Sequence, residues 1–157
     1  MPTIRRAMLA DLDSLLDLRI ALMRDLGDVS EASAEATLAG ILRAYFAVNL
    51  PIEEFRGWLA CDERGTAIGC GGLVYLHKPP MLANPSGREA YIMNMYTAPT
   101  WRGRGVATHV LAAIVGFARE AGVTRLRLNA SEQGRSVYAR AGFATSGSEM
   151  VLALGEE

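Results

Sequence analysis

Apolar positions recur along the chain at two spacings, and each spacing predicts a type of element. Apolar residues return every three or four positions from Leu9 to Met23, and Glu35 to Val48 shows a similar helical pattern, so both stretches predict helices. A longer helix is predicted from Arg104 to Ala121, and Gly122 is placed to end it in a left-handed conformation. The apolar stripe of this long helix, expected to face a sheet, comprises Val106, Val110, Ile114, Phe117 and Ala121.

Strand-like runs alternate with these helices, and their order predicts a mixed sheet. The runs cover residues 3–7, 55–62, 67–76, 90–97, 125–130 and 143–154, the last as one strand or more. Glu63 to Thr66 predicts a hairpin turn, His77 to Arg88 a loop, and Ser131 to Ala139 a short helix. The strand–helix–strand order over residues 90–130 is a right-handed crossover, which makes its two strands parallel. The fold class is therefore α/β (α+β), a mixed sheet of about six to seven strands with helices on both faces.

Length and composition exclude some classes of function. The 157 residues fit a single domain over 1–157, and half of them are apolar. A net charge of −1 argues against nucleic acid as a partner, because phosphate-backbone binding needs a basic face. Val106 to Ala118 is too short to span a membrane. Cys61 and Cys70 fit buried free thiols of a reducing compartment, so we expect a soluble cytoplasmic protein.

The candidate chemistry lies where the long helix begins, in the run Arg102-Gly103-Arg104-Gly105-Val106-Ala107. The first turn of a helix presents unpaired amide N–H groups and partial positive charge, which suit a pyrophosphate. The two glycines let the backbone approach an anion closely, and the two arginines add charge. Taken alone, the run fits a glycine-rich helix start with solvated arginines equally well.

Two other phosphate-binding motifs do not match this run. A Walker loop ends in Gly-Lys-Ser or Gly-Lys-Thr, which is absent here. A dinucleotide-binding fingerprint needs a third glycine at position 108, where this chain has Thr108, and it follows the first strand of its domain.

Three linked motifs resemble the GNAT superfamily of N-acetyltransferases. Arg102, Gly105 and Ala107 match its Arg/Gln-x-x-Gly-x-Gly/Ala signature. Upstream, the run from Tyr91 to Arg102 looks like the central strand and turn of the family; downstream, Ser131 to Phe143 resembles its last helix motif. The resemblance is detailed over residues 90–143 and concerns only the order of elements before them.

The resemblance implies acetyl-CoA as cosubstrate, with no metal. The pantetheine arm would pair with the backbone of Met95, Tyr96 and Thr97, and the N–H at Met95 would stabilise the oxyanion, making Met95 a catalytic candidate through its backbone. The cofactor-binding candidates around the pyrophosphate are Arg102, Gly103, Arg104, Gly105, Val106, Ala107 and Thr108, joined by Ser131 and Arg135 nearer the last helix.

Tyr138 matches the family tyrosine that protonates the departing thiolate, and is the second catalytic candidate. The general base is less defined, because Met93 stands where many relatives carry a glutamate. Glu89 and Glu132 are alternatives that could act through water, although each fits a surface charge as well. His109 fits an exposed helix residue.

The acceptor is expected to be a primary amine of a small molecule or a peptide, attacked directly in a ternary complex. Residues 26–48 and 77–88 are the segments expected to form its pocket, with Tyr45, Phe46, Met81 and Leu82 as apolar candidates. The missing carboxylate at position 93 also leaves open a non-catalytic acyl-CoA sensor. A homodimer is an expectation carried over from the family.

Overall fold

The computed structural model describes residues 1–155, and a five-stranded sheet lies at its centre. The central strands β2 to β4 are largely buried, whereas the edge strands β1 and β5 are only partly buried. The strands are β1 (Thr3–Arg6), β2 (Arg56–Cys61), β3 (Ala67–His77), β4 (Arg88–Thr97) and β5 (Arg125–Leu128).

Residues 1–155 also form four α-helices and two short 3₁₀ turns, Leu9–Asp11 and Pro99–Trp101, and the last helix follows the last strand. The α-helices are α1 (Leu12–Asp25), α2 (Ala32–Asn49), α3 (Val106–Glu120) and α4 (Arg135–Arg140). Gly122 follows α3 with a φ of 75°, as expected for a glycine that ends a helix. Within the described residues, no helix has both the length and the apolar character that a membrane span needs.

The strands lie in sequence order, and only the last pair is parallel. β1 pairs antiparallel with β2, β2 with β3, and β3 with β4. β4 and β5 run parallel, with α3 as the crossover between them. The mixed sheet and its strand–helix–strand unit are therefore confirmed.

Each face of the sheet carries its own core, which confirms helices on both faces. α3 covers one face through Val106, Val110 and Ile114, which are at most 2% exposed. α1 and α2 cover the other face through Leu15 and Phe46. α3 approaches the sheet closely at Gly71 of β3. A Cβ on that glycine would stand 2.6 Å from Met95 Sδ and 2.7 Å from Ile114 Cδ1, so a larger residue there would push the helix away.

The last part of the chain departs from expectation. The predicted helix from Ser131 to Ala139 begins only at Arg135, because Ser131 to Gly134 form a turn. The predicted strand or strands over 143–154 are absent from the described residues, so the sheet has five strands rather than six or seven. A strand-forming sequence needs a hydrogen-bonded partner. Residues 144–155 have none within the described chain and are exposed throughout.

Candidate active site

A cleft opens because β4 is longer than its parallel neighbour. β4 pairs with β3 as far as Thr97, but with β5 only from Glu89 to Ile92. Beyond Ile92, the side of β4 that faced β5 has no strand beside it within residues 1–155. The resulting cleft encloses about 950 Å³ between β4, the start of α3 and the region of α4. An extended chain could pair with β4 here as an added strand.

A β-bulge shapes β4 at the base of this cleft. Asn94 and Met95 together oppose the single residue Gly71, and Asn94 adopts a φ of 59°. The bulge leaves the Asn94 carbonyl outside the regular ladder, and the Cys70 thiol donates to it over 3.0 Å. Burial raises the pKa of Cys70 to about 12, so this thiol stays protonated and keeps its donor. Met95, the second residue of the bulge, lines the cleft.

Unpaired amides form the wall at the start of α3. The backbone N–H groups from Gly103 to Thr108 donate to no acceptor within residues 1–155. Gly103 and Gly105 have φ values of 73° and 80°, which only glycine adopts without strain. These left-handed positions shape the turn that leads into the helix, so the amides line a concave surface. An anion placed there would gain several N–H donors together with the positive end of the helix dipole.

Arg102 fastens this wall to α1. Its Nε donates to the Thr97 carbonyl over 2.9 Å, and its Nη2 lies 2.7 Å from Asp25 Oδ2 at the end of α1. The guanidinium also lies 5.5 Å from the centre of the Tyr96 ring. Both partners of the ion pair are partly exposed. Arg102 therefore serves first to hold the end of β4 against α1, and its charge is shared with Asp25.

The opposite wall is built from side chains of the turn before α4 and of α4 itself. The Tyr138 ring lies 6.1 Å from Phe143, and a Cβ on Gly134 would come within 3.1 Å of it. Burial raises the pKa of the Tyr138 hydroxyl, which makes no hydrogen bond within the described chain. Ser131 Oγ accepts from the Gly134 amide at 3.1 Å, which fixes the turn. A protonated hydroxyl is thus held in the cleft.

Most of the predicted site residues are brought together in this one cleft. Those that line it are Met95, Tyr96, Thr97, Arg102, Gly103, Gly105, Val106, Ala107, Thr108, Ser131 and Tyr138. Two predicted residues do not line it. Arg104 lies over the Trp101 ring at 5.1 Å, and Arg135 reaches Thr145 Oγ at 3.4 Å. Both lie next in sequence to residues that line the cleft, but their side chains contact other groups.

Several lining residues were not predicted as site residues. Leu22 and Asp25 bring the last turn of α1 to the cleft, and Gln133 and Val137 add to the α4 wall. The last turn of α1 is separated by about 70 residues of sequence from the residues it meets, so spacing alone could not place it there. For Gln133 and Val137, the resemblance over 131–143 was a usable signal, since both lie inside that motif.

The two candidate bases have different surroundings. Glu89 is 4% exposed, and its carboxylate accepts from Arg127 Nε at 2.8 Å and lies 3.0 Å from Lys78 Nζ. The hydrogen bond from Arg127 is the main reason that its pKa is lowered, and Lys78 adds to it. Glu89 is therefore a buried anion that joins β4 to β5 rather than a proton acceptor. Glu132 lines the cleft, whereas Met93 packs in the core beneath α1 and α2.

The apolar side chains expected in the acceptor pocket lie elsewhere. Phe46 is 2% exposed in the core beneath α2, against Phe55. Tyr45, Met81 and Leu82 are exposed and do not line the cleft. Leu26 is the residue of the expected acceptor segments that does reach it. The helical period placed Phe46 on the sheet-facing side of α2, where it fills the core.

The fold and the cleft together define a class of protein. They combine a parallel strand pair that splays apart, a row of unpaired amides at a helix start and a tyrosine on the facing wall. The model of the acetyltransferase (GNAT) family matches residues 23–143, most of the chain. The chain belongs to the GNAT acetyltransferase family.

Individual relatives agree with this assignment. The chain is 30% identical over 125 residues to an aminoglycoside N(6')-acetyltransferase type 1 of Stenotrophomonas maltophilia, covering 80% of this chain and 72% of that protein. A protein of Clostridium acetobutylicum, described as a predicted acetyltransferase and solved with acetyl-CoA, superposes with a TM-score of 0.87 at 32% identity, over 98% and 97% of the two chains. A GCN5-related N-acetyltransferase of Ralstonia eutropha gives 0.85 at 26% identity, over 98% and 99%.

Proposed function

We propose that this chain is an acetyl-CoA-dependent N-acetyltransferase acting on a primary amine of a small molecule or a peptide. One observation carries the proposal. The free edge of β4 beyond Ile92 leads directly to the unpaired amides from Gly103 to Thr108. Together they form one continuous backbone surface that suits an extended amide-containing arm ending in a pyrophosphate.

The residues around this surface fit acetyl-CoA. The backbone of Met95 to Thr97 would pair with the pantetheine arm, and the amides of residues 103–108 would take the pyrophosphate. Thr108 and Ser131 also line the cleft. When bound, acetyl-CoA supplies an acetyl group activated as a thioester. That the Clostridium acetobutylicum relative was solved with acetyl-CoA supports this choice of cosubstrate.

The chemistry proposed is a direct transfer in a ternary complex. The amine nitrogen forms a bond to the acetyl carbon as the bond from that carbon to sulfur breaks. The N–H beside the bulge at Met95 would stabilise negative charge on the carbonyl oxygen, a contribution of about 3 kcal/mol for a single such donor. Tyr138, whose hydroxyl is protonated and without a partner in the described chain, would donate its proton to the sulfur. The amine gives up one proton, and Glu132 could receive it through water, since Asp25, another carboxylate that lines the cleft, is paired with Arg102.

A relative indicates which acceptors to test first. The Stenotrophomonas maltophilia relative is an aminoglycoside N(6')-acetyltransferase, so aminoglycosides belong among the amines to be tested.

We place the activity in a single domain over 1–157 and in the cytoplasm, since two buried, unpaired cysteines are typical of a reducing compartment.

One observation favours a second candidate, a non-catalytic acyl-CoA sensor. Met93 supplies no carboxylate, and Glu89 is held by Arg127 and Lys78, so the β4 side of the cleft lacks a ready base. Such a sensor would bind acetyl-CoA in the same cleft without turnover.

The deciding experiment combines calorimetry with an amine screen. The full chain is titrated with acetyl-CoA, and release of CoA thiol is then followed with aminoglycosides, polyamines, amino acids and peptide N-termini. We expect saturable binding and turnover with at least one class. Binding without turnover on the whole panel would favour the sensor. Absence of acetyl-CoA binding would overturn both candidates.

A further inference from the structure

Two neighbouring strands bring polar side chains to the sheet face opposite α3. In the parallel register of β4 and β5, Glu89 lies opposite Arg125, and Tyr91 lies opposite Arg127. Side chains two residues apart on a strand share a face, and Met93 of this row packs in the core beneath α1 and α2. Tyr91 belongs to neither core and is only partly buried. This end of the face therefore lies beyond the cover of α1 and α2.

More positive than negative charge gathers there. The Glu89 carboxylate lies 2.8 Å from Arg127 Nε, 3.0 Å from Lys78 Nζ and 3.8 Å from Arg125 Nη1. Its side chain is 5% exposed, whereas those of the three cations are 33%, 46% and 60% exposed in the same order. One buried carboxylate therefore balances only one of three cations that reach the surface. The surface formed by Lys78, Tyr91, Arg125 and Arg127 is called the β4–β5 face below.

Several donors of the β4–β5 face have no acceptor within residues 1–155. Arg127 donates to Glu89 through Nε alone, so its two terminal amino groups are free there. Arg125 approaches Glu89 only to 3.8 Å, which is too long for a hydrogen bond. A planar guanidinium with free terminal groups suits a carboxylate or a phosphate, because either can accept two parallel hydrogen bonds.

A carboxylate of the chain itself lies near these donors. The pKa of Arg127 is raised mainly by its hydrogen bond to Glu89 and additionally by Glu149. The pKa of Tyr91 is raised by burial and then by Glu149. Glu149 nevertheless forms no ion pair within residues 1–155, and it belongs to a stretch, residues 144–155, that is exposed throughout. An anion is thus favoured at the β4–β5 face, and the donors remain available.

The place of this face connects it to the reaction. Tyr91 and Met95 are four residues apart on β4, about 13 Å at about 3.3 Å per residue. Beyond Ile92, no strand of residues 1–155 lies beside β4 on the β5 side, so the gap joins the β4–β5 face to the cleft. A molecule that lies along β4 on this face can therefore place one end at Arg127 and the other at the acetyl group.

We propose that the amine acceptor carries an oxyanion, a carboxylate or a phosphate, about 13 Å from its reacting nitrogen, and that Lys78, Arg125 and Arg127 bind this group. The inference rests on the proposed function, since it names the class of acceptor for the same cleft. Polycationic acceptors are disfavoured, because a second amine at the β4–β5 face would meet like charges.

The first test compares acceptors that differ only in the anionic group. Extended tetraglycine holds its carboxylate about 13 Å from its amine, and tetraglycine amide lacks that charge. With saturating acetyl-CoA, kcat/KM for the free peptide should exceed that for the amide by about tenfold, because a hydrogen bond to a charged group is lost. A second pair, 8-aminooctyl phosphate and 8-aminooctanol, tells a phosphate site from a carboxylate site. Turnover with equal kcat/KM inside both pairs would overturn the inference and leave acetyl transfer standing.

Variants of the β4–β5 face should remove this preference. Arg125→Gln changes the most exposed cation and should reduce the ratio within the preferred pair at least about threefold. Arg127→Lys keeps a charge beside Glu89 but loses the paired amino groups, and it should reduce the ratio as well. Arg119→Gln is the matched control, because Arg119 is exposed on α3 at the other side of the sheet. Its ratio should equal that of the wild type. Wild-type ratios in both face variants would contradict the assignment.

A binding experiment separates this inference from the proposed function. The chain is saturated with CoA, which has no acetyl group to transfer, and is titrated with each of the four compounds. The nuclear magnetic resonance signals of Nε–Hε in Arg125 and Arg127 should shift with the anionic member of a pair and not with the neutral one. Such shifts without any turnover from acetyl-CoA would refute the enzyme and keep the anion site. Signals that respond equally to both members of each pair, or to none, would refute the anion site whatever the activity.

Discussion

The two walls of the cleft present different chemical groups, backbone amides on one and side chains on the other. The wall at β4 and the start of α3 presents backbone N–H groups, positioned by a bulge at Asn94 and by glycines at 103 and 105. The wall at α4 presents side chains, above all the Tyr138 hydroxyl. The first can bind an extended, anionic molecule without any particular side chain, while the second can take part in proton transfer. We therefore expect damage to the first wall to weaken binding, and damage to the second to slow the reaction.

The sharpest test of this division is Tyr138→Phe. It removes the hydroxyl but keeps the ring packed near Gly134 and Phe143, so kcat should fall about 10²- to 10⁴-fold while the Kd for acetyl-CoA stays within about twofold. Thiol release and calorimetry measure the two quantities. Tyr75→Phe is the control, because Tyr75 lies beneath the Arg56 guanidinium and does not line the cleft. An unchanged kcat for Tyr138→Phe would remove this residue from the acid role.

Gly105→Val should damage the other wall. A valine is strained at a φ of 80°, so the turn would change its path and move the amides that follow. Loss of two charge-assisted hydrogen bonds weakens acetyl-CoA binding by about 100-fold or more. Gly116→Val on α3 introduces the same residue where nothing lies within 4 Å of the added Cβ, and should leave the affinity unchanged. Equal affinities for the two variants would contradict the amide site.

Substitution of the buried Glu89 tests whether its ion pairs stabilise the contact between β4 and β5, the strand that leads to the α4 wall. Glu89→Gln removes ionic hydrogen bonds to Arg127 and Lys78, and the free energy of unfolding at pH 7 should fall by about 2 kcal/mol. Because the folded pKa is lowered, this stabilisation is complete above the unfolded pKa and is lost as pH falls through the folded one. The gap between variant and wild type should therefore close below the ordinary value of 4.5.

Denaturant unfolding at several pH values measures this gap. Glu53→Gln is the matched control, since Glu53 pairs with Arg6 at a surface where its side chain is 57% exposed, and it should change little at any pH. A gap for Glu89→Gln that persists at low pH would show that the effect comes from packing rather than charge.

The smallest effect is expected from the ion pair between Arg102 and Asp25, which links the turn before α3 to α1. Asp25→Asn should lower the free energy of unfolding by about 0.5 kcal/mol, because both partners are partly exposed. The acetyl-CoA affinity should change by no more than about threefold. Asp28→Asn, at a residue without an ion pair in the described chain, is the control for thermal unfolding and calorimetry. A large loss of affinity would show that Asp25 positions Arg102 for the cosubstrate.

Sequence predicted best what depends on neighbouring residues. The strand–helix–strand unit, the β2–β3 hairpin and the glycine-rich turn are local patterns, and each lies where it was expected. Gly103 and Gly105 indicated the amide wall, because a left-handed turn requires this residue type. The side chains of Arg104 and Arg135 could not be placed, since a shift of one residue along a turn moves a side chain from inside the cleft to outside.

What sequence missed depends on partners far along the chain. The composition of residues 149–154 predicts a strand, but composition does not say which strand lies beside it, and none does within residues 1–155. From the sequence Glu89 could be a surface charge, because nothing there shows that Arg127 and Lys78 pair with it in the fold. The parallel register of β4 and β5, which places Arg125 opposite Glu89 and Arg127 opposite Tyr91, becomes visible only once the sheet exists.

The unpaired amides from Gly103 to Thr108 also determine how this site can diverge over evolution. Every residue except proline carries an amide N–H, so most substitutions at 106, 107 and 108 would keep the donor. Selection should therefore concentrate on Gly103 and Gly105, whose φ values few other residues tolerate, and against any proline in the turn. Related proteins can therefore differ in most side chains of this turn and still keep the same backbone conformation.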